Sequence, residues 1–197
     1  MGRKSLKEIR QKEILRGFYA VAKKIGIENT SIAKVANHLK VNPSLIMHYF
    51  TSRENILNAL VDFILENYSG IYEVNGGEID TKGKLLELIN NLFSRKWDKL
   101  FDDGVFYSCY ALIYRNKNFR SRYKKMHDSL HDLLNESLKQ AASHNIIDNR
   151  DIQEKVTIIF SIVDGAYYLL GMVDDKEELE AKENLYKKHV IELLHVR

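Results

Sequence analysis

The scarcity of proline is the feature that most constrains the fold of this chain. Its 197 residues contain a single proline, Pro43, and a proline in the interior of a helix interrupts it. Long helices are therefore permitted along almost the whole sequence. Apolar residues also recur at helical spacing, as in the stretch that contains Ile32, Val35, Ala36 and Leu39. Together these two features predict an all-α fold.

Two short helices are predicted near the N-terminus from the residues that begin and end them. Gly26 can end a first helix, of about residues 5–24, in the left-handed conformation. Thr30 or Ser31 caps the next helix. Asn42-Pro43 begins another, with a favoured N-cap residue before a proline at the first helical position. The tight break at Lys40-Val41 makes the pair typical of a helix-turn-helix, although an αα-hairpin that only packs within a helical protein is the alternative.

Basic residues are concentrated in the first quarter of the chain. Residues 1–50 contain 10 Lys and Arg against 3 Asp and Glu, whereas the remainder contains 20 against 24. No carboxylate occurs between Glu28 and Glu54. Such an asymmetry is typical of a protein that binds a polyanion, although a solvated basic helix face gives the same counts. In combination with a helix-turn-helix, it predicts binding to double-stranded DNA.

The second helix of the pair is expected to lie in the major groove, with its N-terminal residues facing the base edges. The side chains that it offers there include no acid: Asn42, Pro43, Ser44, Leu45, Met47 and His48. Four flanking residues offer hydroxyl groups, N–H groups or a positive charge to phosphates: Thr30, Ser31, Tyr49 and Arg53. Discrimination between sequences is therefore expected from the first set, and affinity from the second set and the basic first helix.

Three segments carry a resemblance to a known family: residues 30–36 (TSIAKVA), 41–50 (VNPSLIMHYF) and 52–57 (SRENIL). They resemble the N-terminal domain of TetR-family transcriptional regulators, over residues 8–60 without a gap. The stretch that ends at Phe50 is most similar to the choline-responsive BetI-like branch. Two residues depart from the family pattern, because Lys40 replaces the usual glycine of the turn and Met47 a frequent tyrosine. Lys40 either adopts left-handed geometry, at a cost of about 1 kcal/mol, or the turn differs.

The resemblance implies a dimeric, ligand-responsive repressor of about nine helices that binds a palindromic operator through its first three helices. It implies that the larger C-terminal domain dimerises and holds a small-molecule effector. It also implies that the residues matching Thr30, Ser31, Tyr49 and Arg53 meet phosphates. The predicted domains are residues 1–67, which bind DNA, and residues 68–197, which dimerise and bind the effector. A helical ligand-binding or scaffolding protein whose N-terminal helices only pack is the alternative function.

The segment 150–173 is predicted to be a helix that is apolar on nearly every side. Its length approaches that of a membrane span, but Asp164 lies within it and Asp174-Asp175 follow, so burial at a subunit interface is favoured over a membrane. A second apolar stripe contains Leu185, Val190, Ile191 and Leu194. Two such helices from each subunit would form a four-helix bundle across a two-fold axis, as in a homodimer. An intramolecular core in a monomer is the alternative.

Aromatic residues are dense in the middle of the chain. Eight of them are candidates to line an effector pocket for a cationic or a flat apolar ligand: Trp97, Phe101, Phe106, Tyr107, Tyr110, Tyr114, Tyr123 and Tyr167. A plain aromatic core explains them about as well. Catalytic, metal and cofactor sites are not expected, because the sequence contains no nucleophile elbow or phosphate-binding loop.

Two features outside these sites have alternative interpretations. His127 and His131 have the i, i+4 spacing of metal ligands but no visible third ligand, so a solvated helix face is favoured. Cys109, the only cysteine, excludes an internal disulfide and is expected to be a small buried hydrophobe rather than a redox sensor. Basic residues interrupt any apolar signal segment at the N-terminus, and a cytoplasmic location is expected.

Overall fold

The computed structural model describes residues 6–68, 70, 72–75, 77–94 and 102–197, with the backbone alone at residues 67 and 68. The described residues form nine α-helices and contain no strand, which confirms the all-α prediction. The helices are α1 (Leu6–Ile25), α2 (Ile32–Leu39), α3 (Pro43–Tyr49), α4 (Arg53–Tyr68), α5 (Lys82–Phe93), α6 (Asp103–Ile113), α7 (Lys117–Ser143), α8 (Ile152–Leu170) and α9 (Lys176–Leu194).

The ends of the first helices follow the sequence signals. Gly26, just after α1, has a φ of +83° and so ends the helix in the left-handed region. The Ser31 hydroxyl oxygen accepts from the Lys34 N–H at 3.3 Å, and the Asn42 side-chain oxygen accepts from the Ser44 N–H at 2.9 Å. These contacts confirm Ser31 and Asn42 as N-caps.

One compact unit consists of the described residues of 1–66 and 101–126. It contains α1 to α4, α6 and the start of α7, so it extends beyond the predicted DNA-binding domain. α1 packs against α2, α3 and α6. The centre of the unit is a set of fully buried side chains: Phe18, Val35, Ile46, Ile56 and Leu60. A three-residue turn therefore holds α3 on a core supplied by α1, α2 and α4.

The second compact unit consists of the described residues of 67–100 and 127–197. α9 packs against α5 and α8, over buried side chains that include Leu85, Leu88, Ile159, Val190 and Leu194. The predicted stripe on α9 therefore divides: Val190 and Leu194 belong to this core, whereas Leu185 is half-exposed. None of the helices described here is long and apolar enough to cross a membrane.

Two helix bounds differ from the prediction. The sequence predicts a helix over about residues 98–115, with a break at Asp102-Asp103-Gly104. Residues 98–101 lie outside the described residues, and α6 begins at Asp103 because the Asp102 carboxylate accepts from the Val105 N–H at 3.1 Å and caps it. The break predicted at Asp102-Asp103-Gly104 is thus the start of α6. The helix expected to reach residue 173 ends at Leu170, where Gly171 follows as the C-cap.

Candidate nucleic-acid interface

The exposed face of α3 is formed by the residues predicted to read the groove. Ile46 is fully buried and Phe50 nearly so, and both fix the helix on the core. The other side chains project from the opposite side, with Leu45 38% and Met47 41% exposed. The structure therefore brings together all six predicted groove residues on one solvent-facing surface, which we call the α3 face: Asn42, Pro43, Ser44, Leu45, Met47 and His48.

The polar groups at the start of the α3 face are already oriented. The Asn42 Oδ1 atom accepts from both the backbone N–H and the hydroxyl of Ser44, at 2.9 and 2.8 Å. The Nδ2 group of Asn42 makes no hydrogen bond with the residues that the structure describes. An amide with a fixed oxygen and available N–H groups can donate to a base edge or a phosphate.

Ser31 and Tyr49 flank the α3 face and are both half-buried. The first N–H groups of α2, which follow Ser31, have no partner within the helix, so this end of α2 offers donors to an anion. The Tyr49 ring packs edge-on against the His48 ring, with a centroid separation of 5.1 Å. These two residues therefore remain accessible for the phosphate contacts predicted for them.

Thr30 occupies a buried position that sequence analysis did not anticipate. Its side chain is fully buried, its hydroxyl donates to the Gly26 carbonyl at 2.7 Å, and its N–H donates to the Ile27 carbonyl at 3.1 Å. In this conformation the hydroxyl group supports the α1–α2 loop, residues 26–31, rather than an external partner. The position just before the Ser31 cap was the only sequence signal of this role.

Arg53 also has internal partners. Its Nε group donates to the Thr30 carbonyl at 2.8 Å, and one terminal nitrogen donates to the Ile27 carbonyl. A third loop carbonyl is bound by another cation, since Lys34 Nζ donates to Asn29 O at 3.0 Å. No sequence pattern predicted this, because the two carbonyls lie 23 and 26 residues before Arg53.

The basic residues of α1 differ in the charge that they leave exposed. Arg10 pairs with Glu13 at 2.7 Å, and Lys12 pairs with Glu66 at 2.6 Å. Arg16 is exposed and makes no ion pair or hydrogen bond with the described residues. Arg16 therefore contributes an uncompensated charge in this part of the chain, and Lys40 at the turn contributes another.

Lys40 adopts the left-handed conformation that the family usually assigns to glycine. Its φ and ψ are 56° and 42°, and its backbone N–H reaches the carbonyls of Ala36 and Asn37 at the end of α2. The turn geometry is thus retained and the residue accommodates it, at the cost that a Cβ imposes in this region. Of the two alternatives for the turn, left-handed geometry at Lys40 and a different turn, the structure shows the first.

The predicted effector-pocket residues are only partly brought together. Phe106, Tyr107, Tyr110 and Tyr123 form a ring cluster in the first unit, with centroid separations of 5.5 to 6.4 Å. Tyr114 is 82% exposed. Tyr167 belongs to the second unit, where its hydroxyl donates to the Ser94 carbonyl at 2.8 Å. Trp97 and Phe101 lie outside the described residues.

The histidine pair lies against an aromatic ring. The centroids of His127 and His131 are 4.4 and 5.8 Å from that of Phe160. His127 Nε2 is 3.8 Å from a carboxylate oxygen of Asp164, and His131 Nε2 is 3.4 Å from the Thr157 hydroxyl. Within the described ranges, no three His, Cys, Asp or Glu side chains are grouped in a way that could hold a metal ion.

Cys109 is completely buried on α6. Burial disfavours the thiolate and raises the pKa of the Cys109 thiol to about 12. A thiol in such surroundings reacts slowly with oxidants, which favours the packing role expected for it.

Comparisons with known proteins agree with this architecture. A family model described as "Bacterial regulatory proteins, tetR family" matches residues 14–60, and one described as "Tetracyclin repressor-like, C-terminal domain" matches residues 80–196. The second match covers more than half of the chain. The chain therefore belongs to the TetR family of transcriptional regulators, as its resemblance implied. No curated protein matches it.

Solved structures of regulators share the fold at low sequence identity. A TetR transcription regulator from Haloarcula marismortui is 18% identical with a TM-score of 0.79, over 95% of this chain and 97% of that one. Reduced NemR from E. coli is 13% identical with a TM-score of 0.77, over 95% and 98%. A transcriptional regulator from Saccharomonospora viridis in complex with choline is 15% identical with a TM-score of 0.72, over 94% and 96%.

Proposed function

We propose that this TetR-family regulator is a ligand-responsive repressor that binds a palindromic operator as a homodimer in the cytoplasm. The observation that supports this most directly is the α3 face, which is exposed, preceded by a capped N-terminus and free of acidic side chains. Asn42 and Ser44 would contact base edges, and the apolar surfaces of Leu45 and Met47 would meet thymine methyl groups. Ser31 and Tyr49 would position the helix through phosphates.

Selection of DNA fragments from a random pool tests this function. We expect the enriched fragments to contain an inverted repeat whose half-site centres are about one helical turn, roughly 34–36 Å, or a multiple of it apart. Binding should weaken steeply as salt increases, because phosphate contacts release counterions. The absence of an enriched palindrome, or binding that is insensitive to salt, would exclude the proposal.

The homodimer is proposed to form through the exposed side of α8. Three residues of α8 and one just beyond its C-terminus are exposed although most are apolar: Ile158, Gly165 and Leu169 on the helix, and Met172 after it. A Cβ placed on Gly165 would meet no atom of the described residues within 4 Å, so none of these residues gives the glycine a packing reason. A partner helix approaching closely at this point supplies such a reason, since a glycine in a helix costs about 1 kcal/mol relative to alanine.

A pair of matched substitutions tests the dimer. Tyr168 on α8 and Tyr114 at the end of α6 are both exposed tyrosines, at 55% and 82%. We expect Tyr168→Lys to shift sedimentation velocity toward the monomer, because it places a charge in an apolar interface. Tyr114→Lys should leave the sedimentation coefficient unchanged. Equal behaviour of the two variants would contradict an interface on α8.

We propose that the ring cluster of Phe106, Tyr107, Tyr110 and Tyr123 forms part of the effector site and that the effector is a cation. The chemistry of the rings supports this, because electron-rich rings bind cations through their faces. The regulator from Saccharomonospora viridis, which is in complex with choline, also supports it. The similarity of residues 41–50 to the BetI-like branch suggests the same ligand class. Choline should raise the thermal midpoint of the protein, whereas its uncharged tert-butyl isostere should not. Equal shifts would argue against a cationic effector.

A further inference from the structure

We infer that Arg53 and Asn116 are positioning residues that connect the α6–α7 junction to the N-terminus of α2. The inference rests on the proposed function, because it concerns how the DNA-binding helices are held and regulated. It assigns Arg53 a role different from the phosphate contact that the family resemblance implies. All residues involved belong to the first compact unit.

The connection starts between α6 and α7. Asn116 caps α7, since its Oδ1 atom accepts from the Phe119 N–H at 3.0 Å. The other half of the same amide, Nδ2, donates to the Glu54 carboxylate at 2.9 Å. One side chain therefore joins the first turn of α7 to the first turn of α4, and the two contacts use opposite ends of a planar group.

The connection continues from Glu54 to its neighbour in sequence. Arg53 is the first residue of α4, and its guanidinium group bridges the carbonyls of Ile27 and Thr30. Thr30 immediately precedes Ser31, the N-cap of α2. A displacement at the start of α4 is therefore passed through the two Arg53 contacts to the residues that immediately precede the N-cap of α2.

The geometry of the Arg53 guanidinium group favours a bridge between two carbonyls over a single contact with a phosphate. Arg53 is half-buried, and its guanidinium group donates to the Thr30 carbonyl and to the Ile27 carbonyl, which also accepts from the Thr30 N–H at 3.1 Å. A planar fork can hold two carbonyls at once, whereas a lysine ammonium is a single point charge. The side chain thus has a structural reason to be arginine that does not depend on DNA.

The position of the junction gives the connection a regulatory use. α6 contains Phe106, Tyr107 and Tyr110 of the ring cluster and ends at Ile113, three residues before Asn116. The other end of α6 is also held, because the Asp102 N–H donates to the Tyr19 hydroxyl of α1 at 2.6 Å. A ligand that shifts α6 would therefore act on α1 at one end and on α4 at the other.

The salt dependence of DNA binding distinguishes positioning from phosphate contact. We expect Arg53→Lys and Arg53→Gln to lower affinity for the selected operator by a similar factor, on the order of tenfold, without a change in the slope of log K against log salt concentration. A slope that falls by about 0.9 in Arg53→Gln and is retained in Arg53→Lys would show a phosphate contact and overturn the assignment.

Hydrogen exchange tests the connection without DNA, so its result is independent of whether an operator is found. Asn116→Ser keeps an N-cap oxygen for α7 but removes the donor to Glu54. We expect it to speed amide exchange several-fold in residues 27–34 and to leave α8 and α9 unchanged. The matched control is Arg122→Gln, which removes the 2.9 Å pair with Asp62 between the same two helices and should not affect residues 27–34. Unchanged exchange in Asn116→Ser, or an equal increase in Arg122→Gln, would overturn the connection.

Discussion

The left-handed conformation of Lys40 predicts that glycine at this position stabilises the protein. The residue must adopt a φ of 56° for its N–H to reach the end of α2. A Cβ makes this conformation unfavourable, whereas glycine adopts it readily. We therefore expect Lys40→Gly to raise the free energy of unfolding while leaving the turn unchanged.

Two opposing effects determine the magnitude. Relief of the left-handed conformation contributes about 1–2 kcal/mol, and the greater flexibility of glycine in the unfolded chain opposes it by about 0.4–1 kcal/mol. The net gain is then on the order of 0.5–1 kcal/mol. For a chain of this length such a gain corresponds to a rise of about 1–4 °C in the thermal midpoint.

Urea unfolding followed by circular dichroism measures this change, together with Lys40→Ala as the control. Alanine removes the long basic side chain but keeps the Cβ, so Lys40→Ala should retain the strain and show no gain. The urea midpoint should rise for Lys40→Gly at an unchanged m-value. If the two variants are stabilised equally, the charge of the Lys40 side chain rather than the left-handed backbone determines the change in stability.

Three further predictions follow from buried or paired groups. Thr30→Val should reduce the free energy of unfolding by about 1–2 kcal/mol in urea unfolding, because the Gly26 carbonyl loses its donor; no loss would mean that the hydroxyl has no structural role. Cys109 should react with iodoacetamide at pH 8 far more slowly in the folded protein than in urea, because burial raises its pKa to about 12; equal rates would contradict its burial. Hydrogen bonds from Arg150 lower the pKa of Asp148 to about 2, so the stability that this carboxylate contributes is present above about pH 4 and lost as the pH falls toward 2. Arg150→Gln should return the Asp148 pKa toward 3.8, as measured by a carboxyl NMR titration, and an unchanged titration would exclude the pair.

The local features of the fold were predictable from sequence because they depend on adjacent residues. Ser31, Asn42 and Gly26 determine where helices begin and end through contacts within four residues, and α3 needs only a cap, a proline and one apolar anchor. The exposed α3 face follows from the same helical period. Such features require no knowledge of tertiary packing.

The internal roles of Thr30 and Arg53 were not predictable from residue type. The Thr30 hydroxyl bonds a carbonyl four residues away, whereas the carbonyls that Arg53 binds lie 23 and 26 residues away. A hydroxyl or a guanidinium group suits a phosphate and a backbone carbonyl equally well, so residue type alone does not decide between them. The same applies to the aromatic residues, of which Tyr114 is exposed and Tyr167 lies in the second unit. Only the packing of the helices shows which partner is near.

The hydrogen-bonded α1–α2 loop has a consequence for the rate at which the protein finds DNA. Four of its carbonyls, those of Gly26, Ile27, Asn29 and Thr30, are bound before any encounter, so the start of α2 needs little rearrangement when DNA arrives. Association is then limited by diffusion and by attraction between charges rather than by a conformational step. Such a module can sample non-specific sites rapidly, and the time spent on an operator is set by how fast the complex dissociates.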